Sequence, residues 1–297
     1  MQFSWINFCI CVWEKQIMEN EKLDIRNKNP FQVIRIRSLL IWLMVSSIIA
    51  MLLAYQLKLR GMEGDVDYIW FLWFHLVVLA WCIYKFNKLN ISFTNLMGKL
   101  PRRYDWASTI AMIVPLVVFS MGTGLIAYYL ISKVSTEFAQ ETFSGDISGL
   151  QLFFIILLFP FVEELFFRGV LLHRWSAKWD IKKAVIYSSL VFATAHIPVN
   201  VLGAFVYGIA LSVLYIKTHT LITPIIFHIL INFSGLFIGV LWADISPETN
   251  IYDFYQPWFG ILCMLISLPW VIRFIYKNWP SRNWHEPYFI NHDIWRD

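Results

Sequence analysis

Residues Leu150 to Leu172 read LQLFFIILLFPFVEELFFRGVLL, a run long enough to cross a bilayer and interrupted only by Glu163, Glu164 and Arg168. On insertion scales a charge near the bilayer centre costs roughly 2.5 to 3.5 kcal/mol, so three uncompensated charges would cost about 8 to 10 kcal/mol. On a helix Glu164 and Arg168 stand four residues apart on one face and can pair across a turn. Glu163 lies about 100° round the helix and is left without a cation of its own. The Glu164 and Arg168 pair fits a helix fastener, whereas an intramembrane carboxylate with no local partner points to a functional site.

The whole chain suits that reading. It has 297 residues, 58% hydrophobic and 15% charged, where soluble domains carry about 25% charged residues. An all-α, polytopic membrane bundle is expected. The net charge of +4 does not indicate nucleic acid, because the basic residues fall in short connections between apolar runs and read as topology signals. The four cysteines, Cys9, Cys11, Cys82 and Cys263, are too few and scattered for a disulfide framework or a paired-cysteine metal site.

Apolar runs predict eight membrane segments, at about 38–57, 68–84, 106–131, 150–172, 184–197, 202–216, 221–241 and 258–276. The fourth, fifth and seventh are expected to form a buried site. Four regions follow: a cytoplasmic amino-terminal segment, 1–37; accessory helices, 38–145; a catalytic helical core, 146–245; and a last helix with a cytoplasmic tail, 246–297. Alternate connections differ sharply in charge: 20 of the 24 Lys and Arg lie on the side of the amino terminus, which predicts that both ends are cytoplasmic. Met1 to Trp13 are apolar but too short to span, and no small-residue cleavage pattern follows. Either translation starts at Met18 or this stretch is an interfacial amphipathic segment. In the tail, Trp279, Trp284, Tyr288 and Trp295 are expected at the membrane interface.

Two prolines interrupt the apolar runs near the polar residues. Pro198 bars a regular helix across Ile197, and Pro160 removes the bond to the Ile156 carbonyl just before the glutamates. Short, interrupted segments are where irregular backbone lines an enclosed cavity at membrane depth.

Five of the seven histidines, His75, His173, His219, His285 and His292, are read as lying at segment ends or in the tail, interfacial or solvated. His196 and His228 fall inside apolar runs, VFATAHIP and TPIIFHILINF. Asn232 follows His228 by four residues and shares its face, and Phe192 precedes His196 by four. Counted inward from the boundary at 1.5 Å per residue, Glu163 lies at about 14 Å, His228 at about 10 to 15 Å, and His196 and Asn232 at about 18 to 20 Å. A carboxylate, two imidazoles and an amide at one depth can supply a base, a shared proton and an oxyanion-binding pair, which hydrolysis of an acyl bond requires.

Glu163-Glu164-x-x-x-Arg168, Phe192-x-x-x-His196 and His228-x-x-x-Asn232, in that order on successive segments, resemble the CPBP family. These are the CAAX-type prenyl-protein endopeptidases and their bacterial bacteriocin-processing or abortive-infection relatives. The resemblance covers about Leu150 to Leu241. It implies that Glu163 activates the attacking water with His196 assisting or sharing the proton, and that His228 and Asn232 stabilise the oxyanion. Glu164 and Arg168, with Phe192, would support the site.

The implied activity is an intramembrane endopeptidase acting on a membrane-associated or secreted peptide or on a lipid-modified protein. The alternative is a non-catalytic scaffold or bacteriocin self-immunity protein. The implied partners are that substrate and the lipid bilayer, with no nucleic acid. The cofactor question stays open between none and Zn2+: Glu163, His196 and His228 could ligate zinc, but the spacing lacks an HExxH signature. The bacterial branch is the nearer likeness, which implies a multi-pass protein of a bacterial cell membrane.

Overall fold

The computed structural model describes residues 29–60, 66–102, 104–143, 149–245, 257–281 and 286–294. The expectations for Met1 to Met18, Trp284, His285 and Trp295 lie outside them. Among the described residues the protein is helical, without strands. Its principal helices are α1 (Arg37–Leu59), α2 (Val66–Leu89), α3 (Trp106–Ala111), α4 (Ile113–Ser132), α5 (Gly149–Phe153) and α6 (Phe159–Phe166). They continue as α7 (His173–Ser176), α8 (Ile181–Thr194), α9 (Val201–Thr218), α10 (Ile222–Ile245), α11 (Pro257–Asn278) and α12 (Pro287–Ile294).

Among the described residues five stretches are long and apolar enough to cross a membrane: Arg37–Gln56, Trp70–Leu89, Trp106–Ser132, Val201–Thr218 and Pro257–Asn278. Ile222–Ile238 is a shorter apolar helix. The expected count of eight is therefore not reached by this measure. The expected fourth segment is divided by two π-helical stretches, Phe154–Leu158 and Phe167–Leu172. The expected fifth ends at Thr194 after 14 residues, ahead of a turn holding a cis Ile197–Pro198 bond.

Sequence dictates the packing at several crossings. Helices α4 and α11 meet at paired glycines: a methyl group on Gly122 would stand 2.6 Å from the Gly260 carbonyl oxygen, and one on Gly260 would stand 2.8 Å from that of Gly122. Only residues without Cβ allow this backbone approach, the same device that small residues supply in membrane helix pairs. Helices α8 and α9 cross at Gly208, where a methyl group would meet Ser189 Cβ at 3.0 Å. Helix α9 is the central element, buried from Tyr207 to Ile216. By contrast α1 shows Leu40, Ile41, Met44, Val45 and Ile48 on its outside, the apolar belt that a lipid environment would cover.

One latch joins the turn after α8 to α4. The Thr123 hydroxyl donates to Asn200 Oδ1 at 2.5 Å, and Asn200 Nδ2 donates to Ser120 Oγ at 2.6 Å.

A second polar cluster closes one end of the bundle. The Glu286 carboxylate accepts from Asn29 Nδ2 at 3.1 Å, Ser176 Oγ at 3.0 Å and His173 Nδ1 at 3.2 Å. Tyr215 donates its hydroxyl to His173 Nε2 at 2.8 Å, and Phe31 stacks on the His173 ring with centroids 4.4 Å apart. Two expectations are thereby corrected. His173 is buried, not solvated, and Tyr288 is buried with its hydroxyl accepting from the Ser92 amide at 3.0 Å. Both polar groups find partners because α12 folds back onto the bundle: Asn291 Nδ2 donates to the Asn95 and His219 carbonyls at 2.7 Å each.

Candidate active site

Glu163 and Glu164 project from α6, which is bounded on both sides by the π-helical turns. In a π turn an amide bonds five residues back, and Pro160 has no amide hydrogen with which to reach Ile155. Asn232 of α10 takes up that carbonyl, donating from Nδ2 at 3.1 Å. The released acceptor that gains this partner is thus Ile155, not the Ile156 expected from ordinary helix geometry. One of the two amide hydrogens of Asn232 is spent on this bond, which also ties α10 to the entry of α6.

Glu164 is sealed inside, with none of its side chain exposed, and Arg168 has 1% exposed. Arg168 Nη1 donates to Glu164 Oε1 at 2.7 Å and Nη2 donates to the Gly208 carbonyl at 2.9 Å. Its guanidinium lies 4.9 Å from the Phe192 ring centroid. The helix-turn pairing expected between Glu164 and Arg168 is present. It reaches further than a local fastener, because the same Oε1 accepts from His228 Nδ1 at 2.8 Å. A carboxylate can only accept, so the proton of His228 is on Nδ1 and its Nε2 is turned the other way.

That Nε2 faces Glu163, 3.7 Å from Oε2. On the opposite side His75 of α2 brings its Nε2 to 3.1 Å from Glu163 Oε1. His75, expected at a solvated segment end, is instead 6% exposed. It stands nine residues after the start of α2, about 13 Å inward at 1.5 Å per residue. The depth count applied to Glu163 finds it too, in the run DYIWFLWFHLVVLAW. Glu163 is not left without a partner; its partners come from other helices. The Glu163 side chain is 21% exposed while that of Glu164 is fully enclosed.

His196 sits in the turn after α8, half-buried. Its Nδ1 donates to the Phe192 carbonyl at 2.9 Å and its ring lies 4.6 Å from that of Phe192. The expected i, i+4 packing of these two rings is present. No hydrogen bond joins His196 to Glu163 among the described residues, although the two are close enough for their charges to interact. Tyr207 of α9, which no sequence motif marks, packs edge-on to the His228 ring at 5.1 Å. Its buried hydroxyl has no hydrogen-bond partner among the described residues.

Among the described residues no three His, Cys, Asp or Glu side chains are arranged to hold a metal ion. Glu163, His196 and His228 in this arrangement do not fit a zinc site. A groove of about 600 Å³ between α3, α4 and α11, lined by Tyr104, Asp105, Trp270, Arg273 and Lys277 among others, contains none of the residues around Glu163.

A family model described as Type II CAAX prenyl endopeptidase Rce1-like matches residues 146–234 of this chain. The matched stretch includes Glu163, Glu164, Arg168, Phe192, His196, His228 and Asn232. Over this stretch the chain is similar to the CPBP family, and the likeness points to a protease in general. With its several long apolar helices the chain is an integral membrane protein. An Escherichia coli protein described as "Uncharacterized 24.3 kDa protein" is 26% identical over 141 residues, covering 42% of this chain and 64% of that protein. The chain thus spans somewhat less than two thirds of that relative's length. No solved structure matches.

Proposed function

We propose that this protein is an intramembrane endopeptidase in which Glu163 activates water against a peptide bond of a membrane-associated or secreted peptide or protein. The observation that carries the reading is a partly exposed carboxylate between the Nε2 atoms of two buried histidines, next to a second carboxylate that is fully enclosed. Such a group can be reached by water and substrate while its surroundings hold it in one orientation.

Glu163 takes one proton from water, the hydroxyl adds to the scissile carbonyl carbon, and the proton passes on to the leaving nitrogen. His196 carries its hydrogen on Nδ1, bonded to the Phe192 carbonyl, so its Nε2 is free to accept and share that proton. His228 also has Nδ1 occupied. It can serve the tetrahedral oxyanion when Nε2 is protonated as well. The second amide hydrogen of Asn232 completes the pair. The charge bias of the connections, 20 of 24 basic residues on one side, supports a topology with both termini cytoplasmic.

The test is cleavage of quenched prenylated and leader-type peptides by purified protein in nanodiscs. Glu163→Gln and His228→Ala are each expected to lower the rate by at least about 100-fold, the scale of general acid–base catalysis. Absence of cleavage by folded wild type, with cellular function surviving Glu163→Gln, would sink the reading and leave a binding scaffold.

A further inference from the structure

The ring of His75 is held more tightly than contact with Glu163 alone would require. Its Nδ1 lies 2.7 Å from the Phe71 carbonyl. A carbonyl only accepts, so the hydrogen is on Nδ1. The ring also stacks on Phe159, centroids 3.9 Å apart and planes 13° from parallel. Phe159 precedes Glu163 by four residues on α6, so the stack fixes His75 relative to the very turn that carries the carboxylate.

With Nδ1 committed, a neutral His75 presents a lone pair from Nε2. An ionised Glu163 presents only lone pairs from Oε1. Two acceptors 3.1 Å apart would repel, and in a site of low dielectric the repulsion would be severe. The contact requires a proton between them.

We infer that His75, on an accessory helix outside the matched stretch, is the positioning residue that shares one proton with Glu163 and thereby holds the carboxylate in its working orientation. The shared proton lies on the Nε2 to Oε1 line, which leaves Oε2 as the oxygen that receives the proton of water in the proposed reaction. Charge balance favours the arrangement, since the pair bears no net charge whichever partner holds the proton, and an isolated carboxylate at this depth would be costly.

The other ionisable groups around the carboxylate are Glu164 and Arg168 from its own helical run, His196 after α8, Tyr207 of α9 and His228 of α10. Helix α1, which packs on α2, has no charged residue between Arg37 and Lys58. His75 is therefore the partner that faces Oε1.

The pairing itself rests on geometry alone, and only its catalytic consequence depends on the endopeptidase reading. Infrared spectra of the purified protein across pH, with the Glu163 carboxyl band assigned by its loss in Glu163→Gln, read the proton directly. His75→Phe keeps an aromatic ring on Phe159 and removes Nε2, while His75→Gln keeps a hydrogen-bonding group that cannot titrate. The Glu163 band is expected to titrate at least one pH unit away from wild type in both variants, with melting temperatures checked alongside. An unchanged titration in whichever variant folds overturns the inference.

In the cleavage assay, kcat is expected to fall at least tenfold in both variants with KM nearly unchanged. Wild-type kcat in a folded variant overturns the catalytic half. If wild type cleaves nothing, the endopeptidase reading fails, and the infrared result still decides the pairing.

Discussion

Exchanging either of two neighbouring glutamates of α6 for glutamine removes one negative charge, yet the two exchanges are expected to read out differently. Glu164→Gln leaves Arg168, 1% exposed, without its counter-charge, and loss of one partner from a buried pair costs about 3 to 5 kcal/mol. Thermal unfolding in detergent should show a large drop, even though the glutamine carbonyl oxygen can still accept from His228 Nδ1. Glu163→Gln keeps a side chain of the same shape at a partly exposed position, and its melting temperature should stay close to wild type while cleavage disappears. A large loss of stability in Glu163→Gln with none in Glu164→Gln would reverse the roles of the two carboxylates. The i, i+4 spacing made the pairing of Glu164 with Arg168 legible in the sequence. The second partner of that carboxylate, His228, is 64 residues away, and no local periodicity encodes it. His75 belongs to no motif, and only a depth count along α2 places it level with Glu163.

At the scale of elements, the two π-helical turns explain why an evenly wound helix describes the fourth segment only in part. A π turn carries one residue more than an α turn, so each one shifts every later residue by about 100° relative to a regular helix. Glu164 and Arg168 straddle the start of the second π stretch and still meet, but register argued across the whole of Leu150 to Leu172 does not survive both. Deleting Leu157 is expected to convert the first π stretch into ordinary helix, swing Gly149 to Phe153 round the axis and separate the Ile155 carbonyl from Asn232. Circular dichroism should show undiminished helix while the melting temperature falls and cleavage is impaired; wild-type behaviour in both would mean that the π turn has no role in placing α6. The α4 and α11 crossing gives a second test. Gly122→Leu pushes a branched side chain against the Gly260 backbone, with the closest carbonyl oxygen 2.6 Å from the position of Cβ. Overpacking of this kind costs about 1 to 3 kcal/mol or more, and wild-type thermal stability would contradict the close approach. Prolines flag this irregularity in the sequence; which carbonyl each releases depends on the kind of helix around it.

For the whole molecule, hydropathy made the all-helical membrane class legible, and the three motifs fall within the stretch that the family model matches. The number of apolar segments was less legible because composition counts apolar residues without knowing where helices break, as at Thr194. The tail reads as interfacial because of its Trp and Tyr residues, yet its Glu286 carboxylate is hydrogen-bonded to three side chains. Glu286→Ala should release Asn29, Ser176 and His173 together, each bond contributing about 0.5 to 1.5 kcal/mol and those to the charged carboxylate more. Increased hydrogen exchange confined to Pro30–Val33, α7 and α12 is expected, with the helices around Glu163 unaffected; exchange spread evenly through the bundle would show that this cluster supports the entire fold.

The bond from Asn29 to Glu286 also has a topological consequence. It joins residues 257 positions apart, so the path of the backbone nearly closes into a ring. A circular permutant could join the end of α12 to Asn29 through a linker and open the chain in the exposed turn between Ser132 and Thr136. Every helix would keep its neighbours, and the accessory helices would then be synthesised after the matched stretch instead of before it. Whether such a protein folds would separate what the architecture needs in space from what the ribosome happens to deliver in time.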